Sequence, residues 1–326
     1  MKKSILILLI FCFCFSLHSQ RRRKVKKEDL LKEFDLTNFK FKKEELFAPG
    51  LPKDAIPAIT NPQKVSVANA DFAKDNWRVA AVTVNGETAG YPLEILLWHE
   101  IINDNLGKVP VAVTYCPLCD SVAVFKRSFK AKDGKEMIGE FGVSGLLLNS
   151  NVVMYNRRTN ALWSQAFMQA LSGPNSGKSL EHYKVKMMTF KDFKKKFPKA
   201  QFLSNKTGHR RPYGYNPYKK YWDSDKDLYK TIQFKFGDKL PAKALGVGIK
   251  TEDKIVFVTR AKALEGKVTV KTKEGDVIIS AGEAGMNVEK SPKNVMTMQV
   301  FYHTWSGFFP QTEIICTEKE KKFKKK

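Results

Sequence analysis

Apolar and polar residues alternate in many short runs along the chain, which is the pattern of half-buried β-strands. The first clear run is WRVAAVTV at residues 77–84, and the hairpin turn signal Asn85-Gly86 follows it. Other such runs are GKVPVAVTYC, SVAVFKRSF, KIVFVT, KVTVKT, DVIIS and TMQVFYHTW. Because no regular strand–helix alternation accompanies them, the chain is predicted to be mostly β or α+β, with many short antiparallel strands.

Helical spacing is confined to a few short segments. In YPLEILLWHEIIND, the apolar residues Leu93, Leu96, Leu97 and Ile101 fall on one helical face. The segment TFKDFKKKFP follows a strand-like run, and it carries a threonine at its start and a proline at its end. These are helix start and stop signals, so a few short helices are expected among the strands.

Two segments resemble each other in pattern. RVAAVTVNGETAGYPLEIL and ALGVGIKTEDKIVFVTRAKAL both contain a strand, a polar turn, a second strand and a closing leucine. An internal duplication would produce this echo. Two hairpins of ordinary patterning would also produce it, and they are the favoured explanation because such patterning is common in β proteins.

The N-terminus has the features of a signal peptide. Two lysines precede an apolar stretch at residues 5–17, which is too short to span a bilayer, and a small residue follows it. Cleavage is expected near Ser19-Gln20, which predicts an exported protein, periplasmic or extracellular. The alternative is an N-terminal membrane anchor. The domains expected are a signal peptide at 1–19, a basic and partly extended leader at 20–60, a single globular domain at 61–316 and a basic tail at 317–326.

The chain is strongly basic, with a formal net charge of +24, and part of this charge lies in the runs RRRKVKK and KEKKFKKK near its two ends. Such runs are typically solvated, and they could contact an anionic envelope surface. Nucleic acid is not favoured as a partner, because no nucleic-acid-binding motif accompanies the charge. Hydrophobic residues make up 43% of the chain, which is enough for a sizeable core.

The segment VTYCPLCD places two cysteines, Cys116 and Cys119, directly after a predicted strand. Cleavage of the signal peptide removes Cys12 and Cys14, so the mature chain keeps these two and Cys316. An odd number of cysteines in an oxidising compartment leaves at least one thiol unpaired, or all three as metal ligands.

Several longer segments resemble the bacterial family called domain of unknown function 3179. They are YPLEILLWHEIINDNLGKVPVAVTYCPLCDSVAVFKR, FGVSGLLLNSNVVMYNRRTNALWSQ and YGYNPYKKY, in the order typical of that family. The chain has Asp120 where many members have Gly or Asn, and Asn156 where Asp is usual. The resemblance implies no mechanism, but it places these residues at motif positions: His99, Glu100, Asn103, Asp104, Cys116, Cys119, Ser144, Asn149, Ser150, Trp163 and Gln165.

Metal binding is the leading hypothesis for the CxxC motif. Two sulfurs in a tight turn can share one ion, although zinc requires four ligands whereas copper(I) accepts two or three. His99 is the best additional candidate ligand, and Cys316 and His303 are weaker ones. The structural alternative for His99 is a packed histidine bonded to a carbonyl or carboxyl group. The cofactor is therefore unknown, with zinc or copper as the two options, and whether the protein is an enzyme stays open.

Two alternatives remain. The pair Cys116 and Cys119 could cycle between dithiol and disulfide as an envelope thiol-disulfide oxidoreductase, but a strand follows the motif where a helix N-terminus would lower a thiol pKa. The cysteines could instead be structural parts of a non-enzymatic ligand-binding module, with Tyr215 and Tyr218 of the loop RRPYGYNPYKKYW as its contact surface.

The remaining motif residues are predicted to support the site. On a helix, Asn103 would lie four residues after His99 and could orient its ring, while Asp104 would lie four residues after Glu100 as a carboxylate partner or, by preference, a helix-end cap. Ser144, Asn149 and Ser150 are interpreted as turn and network residues, because the chain has no GxSxG elbow. Trp163 is interpreted as a core residue, and Gln165 lies next to it in the LWSQ segment.

Overall fold

The computed structural model describes residues 24–224 and 239–323. The predicted signal peptide at residues 1–19 lies outside the described residues. Strands account for 41% of the structure and helices for 16%, which confirms the mostly β prediction. None of the helices in the described part of the chain is long and apolar enough to cross a membrane.

The strands are short and numerous. In the first half of the chain they are β1 (Leu46–Phe47), β2 (Ile59–Thr60), β3 (Lys64–Ser66), β4 (Arg78–Val84), β5 (Glu87–Pro92), β6 (Ile101–Leu106), β7 (Val109–Cys116), β8 (Ser121–Lys126), β9 (Ser128–Lys130), β10 (Glu136–Ile138), β11 (Phe141–Leu148), β12 (Asn151–Asn156) and β13 (Leu162–Ser164). In the second half they are β14 (Gln169–Ala170), β15 (His182–Tyr183), β16 (Val185–Thr189), β17 (Gln201–Leu203), β18 (Leu245–Lys250), β19 (Ile255–Thr259), β20 (Val268–Thr272), β21 (Gly275–Gly282), β22 (Gly285–Lys290), β23 (Met296–Phe301) and β24 (Glu313–Ile315).

The helices span at most seven residues each. They are α1 (Lys27–Leu31), α2 (Leu93–His99), α3 (Phe190–Lys196), α4 (Lys219–Trp222), α5 (Arg260–Leu264), α6 (Tyr302–Phe308) and α7 (Glu318–Lys321), with two 3-10 turns at Lys43–Glu45 and Val67–Asn69. The predicted helix start at Thr189 is confirmed, because its side chain accepts a hydrogen bond from the backbone N–H of Asp192.

The strands form sheets that are arranged like a five-bladed propeller. The sheet orders are β1-β11-β12-β13-β14, β15-β8-β7-β6-β2, β20-β21-β22-β16-β4-β5-β17-β3, β23-β18-β19-β24 and the small pair β10-β9. One buried hydrophobic cluster draws residues from several of these sheets, among them Cys119, Phe141, Trp163, Phe257 and Trp305. The CxxC turn therefore lies where sheets meet.

The internal echo seen in the sequence is part of a structural repeat. The order β16-β4-β5-β17 matches the order β23-β18-β19-β24, with the first two pairings antiparallel and the last one parallel in both. The registers also agree, since Met187 faces Ala80 in the first unit and Gln299 faces the corresponding Val247 in the second. We call these the first unit and the second unit.

The helices extend this repeat. In the first unit α2 follows the hairpin β4-β5 and α3 connects β16 to β17, while α5 and α6 occupy the corresponding places in the second unit. The segments containing α3 and α6 align without a gap, so that Phe193 matches Trp305 and Pro198 matches Pro310. Each aromatic ring packs directly against a glycine. A Cβ atom added to Gly90 would lie 2.7 Å from the Phe193 ring, and one added to Gly248 would lie 2.2 Å from the Trp305 ring.

The described part of the predicted leader packs onto the globular fold. Strand β1 pairs with β11 and β2 pairs with β6, while Leu30, Phe34 and Leu46 are buried against the β11–β13 sheet. Residues 49–56 of this segment also line a cavity together with Leu118 of the CxxC turn.

Candidate functional site

The CxxC motif forms the turn between the antiparallel strands β7 and β8. Cys116 and Cys119 are free thiols that are 1% and 0% exposed. The turn ends at Asp120, whose φ of 46° lies in the left-handed region that glycine and asparagine adopt most easily. Arg78 holds the Asp120 carboxylate through two hydrogen bonds of 2.9 Å each. The ion pair with Arg78 thus holds the end of the turn in place.

A network of buried polar side chains lies behind the second cysteine. The Asn151 amide donates to the Cys119 Sγ at 3.2 Å and to the Gln165 Oε1 at 2.6 Å. The Ser121 hydroxyl also donates to the Gln165 Oε1, at 2.8 Å, and the Gln165 Nε2 donates back to the Ser121 carbonyl at 3.0 Å. Cys116 donates through its Sγ to the Ser150 carbonyl at 3.4 Å. The structure therefore brings the predicted residues Cys116, Cys119, Ser150 and Gln165 together.

The surroundings of Cys116 favour the protonated form of its thiol. Burial, the hydrogen bond with Cys119 and the nearby charges of Cys119 and Glu100 raise the pKa of Cys116 well above its ordinary value. Since the thiolate is the nucleophile and the metal ligand, this conformation holds Cys116 in its unreactive, protonated form at neutral pH.

Glu100 occupies an unusual backbone position directly after α2. Its φ of 56° and ψ of −31° end the helix, and a non-glycine residue with positive φ carries strain of about 1–3 kcal/mol. Its backbone N–H donates to the Leu96 carbonyl and its carbonyl accepts from the Tyr115 N–H, both at 2.8 Å. These two bonds tie Glu100 to α2 and to β7, and thus set the place from which its side chain projects.

The carboxyl group of Glu100 has no hydrogen-bond or ion-pair partner among the described residues, although the residue is only 7% exposed. Burial raises the pKa of Glu100 to about 8, so the carboxyl group is mostly neutral at pH 7. Glu100 lines a narrow cavity together with Leu51, Leu118, Leu147 and Tyr218, and the other lining residues are apolar. We call this cavity the Glu100 pocket.

The helix α4 covers the CxxC turn. The Tyr221 hydroxyl donates to the Leu118 carbonyl at 2.6 Å, and the Trp222 Nε1 donates to the Pro117 carbonyl at 2.8 Å. Tyr218, at the start of this helix, lines the Glu100 pocket, whereas Tyr215 is 64% exposed and does not. Of the two tyrosines predicted as contact residues, the structure therefore places one at the pocket.

The start of α6 lies on another side of the same turn. The Phe301 N–H donates to the Cys119 carbonyl at 2.8 Å, and the fully buried His303 lies 3.4 Å from the Tyr221 hydroxyl through its Nε2. Burial, with a smaller contribution from the charge of Lys243, lowers the pKa of His303 to about 3. His303 is therefore a neutral packing partner of the turn at physiological pH.

His99 contacts neither cysteine in the hydrogen bonds that its ring makes. Its Nδ1 lies 2.8 Å from the Pro57 carbonyl and its Nε2 lies 2.6 Å from the Tyr213 hydroxyl, which occupies both ring nitrogens. Burial lowers the pKa of His99 to about 4. Cys316 follows β24, and burial raises its thiol pKa. Within residues 24–224 and 239–323, no group of three or more His, Cys, Asp or Glu side chains could hold a metal ion.

The predicted helical placement of Asn103 and Asp104 is wrong. Glu100 ends α2, so both residues lie in β6, where i+4 spacing has no meaning. The Asn103 side chain instead makes two hydrogen bonds to the backbone of Phe141, at 2.8 and 2.9 Å. Asp104 pairs with Lys64 at 3.0 Å and accepts from the Tyr91 hydroxyl at 2.7 Å. Both residues connect sheet elements, and neither orients His99 or pairs with Glu100.

The serine and asparagine of the SGLLLNS segment have structural contacts. The Ser144 hydroxyl donates to the Val153 carbonyl at 2.5 Å, across a register shift between β11 and β12. Asn149 donates to the Gly307 carbonyl at 3.1 Å, which ties the β11–β12 turn to α6. Trp163 is 1% exposed and packs edge-on against Phe141 in the core. Ser144 and Asn149 thus bond to backbone carbonyls near the β11–β12 hairpin, and Trp163 lies in the core.

Comparison with known proteins identifies the family. The model of a family described as a protein of unknown function (DUF3179) matches residues 53–303, which is more than half of the chain. The chain belongs to the DUF3179 family. A comparison with curated proteins found no match, and a comparison with solved structures found none.

The two positions at which the chain departs from the DUF3179 pattern have simple physical roles. The left-handed backbone at residue 120 explains why Gly or Asn suits this position, and here Asp120 adds the ion pair with Arg78. Asn156 is buried and accepts a hydrogen bond from the Arg158 N–H at 2.9 Å, which closes the turn after β12. Sequence reasoning missed Ser121, because nothing in its spacing marks it, and it placed Glu100 at a motif position without revealing the pocket that Glu100 lines.

Proposed function

We propose that this protein binds a small, largely apolar molecule in the Glu100 pocket, and that the neutral Glu100 carboxyl donates a hydrogen bond to an acceptor on that molecule. The observation that carries the proposal is the Glu100 carboxyl group, which lines an otherwise apolar cavity, has no partner among the described residues and belongs to a residue that is only 7% exposed. Apolar pockets with a few polar groups of shifted pKa are the usual form of ligand sites.

The energetics support a ligand with a hydrogen-bond acceptor. A buried polar group without a partner costs about 1–3 kcal/mol, and a ligand that accepts its proton offsets that penalty. An amine ligand is disfavoured, since the net charge of +24 repels cations at long range. In this proposal the cysteines are structural: their turn presents Leu118 to the pocket, and their thiols complete the network around Gln165.

Nile red, a neutral apolar dye with a carbonyl acceptor, is a suitable probe for the full chain. Its fluorescence titration should show saturable binding that weakens above about pH 8, where Glu100 loses the proton that it donates. Glu100→Gln keeps an N–H donor that does not titrate, so the variant should bind the dye with the same affinity below and above pH 8.

A matched pair of substitutions tests the location of the dye. Leu51 is 41% exposed and lines the pocket, so Leu51→Trp should obstruct binding. Ile138 is 57% exposed and lies elsewhere, so Ile138→Trp should leave binding unchanged. Equal effects of the two tryptophans, or a pH dependence that survives in Glu100→Gln, would refute the proposal.

Dithiol–disulfide chemistry is the second candidate, and the contact between the thiols of Cys116 and Cys119 favours it. In its ionised form Glu100 could accept the Cys116 proton, so that the Cys116 thiolate attacks a substrate disulfide and Cys119 then closes the internal disulfide. The substrate S–S bond is broken, and its two sulfurs leave as thiols with the two electrons and the two protons of the dithiol. In glutathione buffers of increasing oxidising strength, alkylation and mass spectrometry should then reveal an internal disulfide. The reaction should be slower in Glu100→Gln, and a pair that stays reduced in every buffer would exclude this candidate.

Binding of zinc or copper by the cysteines remains a hypothesis, and it requires a change in the surroundings of the candidate ligand His99. His99 could act as a ligand only after leaving Pro57 and Tyr213. Two thiolates alone suit copper(I), whereas zinc needs further ligands. Export with cleavage near Ser19-Gln20 and contact of the basic tails with an anionic envelope surface also remain predictions.

A further inference from the structure

A second, narrow cavity lies between strands of three sheets and shares no lining residue with the Glu100 pocket. Four methionines line it, each at most 6% exposed: Met168, Met187, Met286 and Met298. They belong to three separate hydrophobic clusters, so the cavity lies at the junction of these clusters. Methionine side chains adapt their shape easily, which suits a cavity that takes a flexible apolar chain.

The cavity continues into a basic groove. His182, Tyr183, Lys184 and Thr297 line both the cavity and a wide groove that is open to solvent. The groove is also lined by Lys186, Lys196 and Lys293, against the single acidic residue Glu181 in its described lining. Lys186 has a carboxylate within 4.0 Å, that of Glu289, but both side chains remain partly exposed, so the pairing is weak. An apolar interior thus opens at a positively charged mouth.

We propose that this composite site binds an anionic amphiphile, with its hydrocarbon chain in the methionine-lined cavity and its acidic head on the lysines of the groove. Burial of each methylene group adds to the stability of such a complex, so even a partly inserted chain contributes. The lysines attract a carboxylate or a phosphate and repel a cation, which also disfavours a thioether-bound metal ion here.

The binding experiment compares head groups on one chain length, by calorimetry with the full chain. Laurate and dodecyl phosphate should bind, and their relative affinities distinguish a fatty acid from a phosphorylated lipid. Dodecanol should bind at least about tenfold more weakly, a difference of about 1.4 kcal/mol. Dodecyltrimethylammonium and inorganic phosphate should not compete with laurate for the site. The first has no acidic head, and the second has no hydrocarbon chain.

Charge-reversal variants test the groove. Lys184→Glu combined with Lys293→Glu should weaken binding of laurate by about tenfold or more, since both lysines line the groove. Lys130→Glu combined with Lys267→Glu, both exposed outside it, should leave the affinity unchanged apart from a small long-range effect. Equal losses in the two double variants would mean nonspecific attraction to a basic protein, and would overturn the proposal.

A filling variant tests the cavity. Val288 is half-buried and lines the cavity, so Val288→Trp should abolish binding of laurate without a large effect on folding. Leu264 is 54% exposed and lies outside the cavity, so Leu264→Trp should bind as the wild type does. An absence of saturable binding by any anionic amphiphile, or equal affinity for dodecanol and laurate, would contradict the proposed site.

Discussion

The first and second units share strand order, register and helix positions, yet they contribute to the CxxC region through helices that do not correspond. The first unit supplies Glu100 from the end of α2, the helix after its hairpin. The second unit supplies Phe301 from the end of β23 and His303 from α6, the helix between its outer strands. The same scaffold thus brings two different elements to one turn.

Burial follows this division of roles. In α2 five of the seven residues are buried and in α6 six of the seven, whereas α3 buries two and α5 buries one. The two surface helices begin with a threonine cap, while α2 and α6 have no side-chain cap. Tertiary packing around the turn therefore holds α2 and α6 in place, whereas α3 and α5 depend more on local signals.

The largest effect should come from removing the matched aromatic residues. Phe193 and Trp305 are both fully buried against a glycine, so Phe193→Ala and Trp305→Ala should each lower the free energy of unfolding by about 3–5 kcal/mol. Urea denaturation measures this loss. Because α6 contacts the CxxC turn and α3 does not, only Trp305→Ala should also make the thiols of Cys116 and Cys119 more accessible to reagents.

Thiol reactivity under native conditions separates the two variants. Alkylation of Cys116 and Cys119 should be faster in Trp305→Ala than in Phe193→Ala at matched global stability, because α6 loses its packing next to the Cys119 carbonyl. If both variants react at the same rate, the second unit has no special role at the turn and the comparison fails.

The next effect concerns the acid that α2 supplies. The pKa of Glu100 is raised from 4.5 to about 8, so the unfolded chain releases its proton first and stability falls as pH rises from about 4.5 to about 8. At 1.36 kcal/mol per pH unit, Glu100→Gln should gain about 2–3 kcal/mol over the wild type between about pH 5 and pH 7. Urea denaturation at several pH values measures the difference.

A second glutamate on the same helix provides the control. Burial raises the pKa of Glu94 to about 7, so Glu94→Gln should remove only the part of the pH dependence below about pH 7. His303 of α6 should change the stability in the opposite direction. Its pKa is lowered to about 3, so the stability that the neutral ring contributes is lost as the pH falls below about 6.5. A stability of Glu100→Gln that parallels the wild type at all pH values would show that Glu100 titrates normally.

Much of the fold could be predicted because its signals are local. Alternation predicted the strands β4 and β7, Asn85-Gly86 predicted the hairpin turn, and Thr189 predicted the start of α3. The echo between the two hairpins was visible in the sequence, but the repeat was not. Its other members, β16 and β23, are distant along the chain and join through long-range pairing.

The site was less predictable because its geometry depends on distant contacts. The sequence places His99 and Glu100 side by side, and the expected helix continued past both. Instead the backbone of Glu100 turns to a positive φ and bonds to Tyr115 of β7. His99 is then directed to Pro57 and Tyr213, while Glu100 lines the pocket. Spacing cannot reveal a helix end that a neighbouring strand imposes.

The smallest effect should come from the caps of the two surface helices. The Thr189 hydroxyl accepts from the Asp192 N–H at 3.1 Å, and the Thr259 hydroxyl accepts from the Lys262 N–H at 3.2 Å. Thr189→Ala and Thr259→Ala should each lower the free energy of unfolding by about 1 kcal/mol, and serine at either position should restore most of it.

The caps also test the difference between the surface helices α3 and α5 and the buried helices α2 and α6. Since Thr189 and Thr259 lie in different units, the two losses should add in the double variant to about 2 kcal/mol in urea denaturation. Neither alanine should change the binding of Nile red or the rate of cysteine alkylation, because α3 and α5 do not contact the turn. A change in alkylation beyond that expected from the lost stability would show that the surface helices are coupled to the CxxC region, so that the division between the helix pairs would not hold.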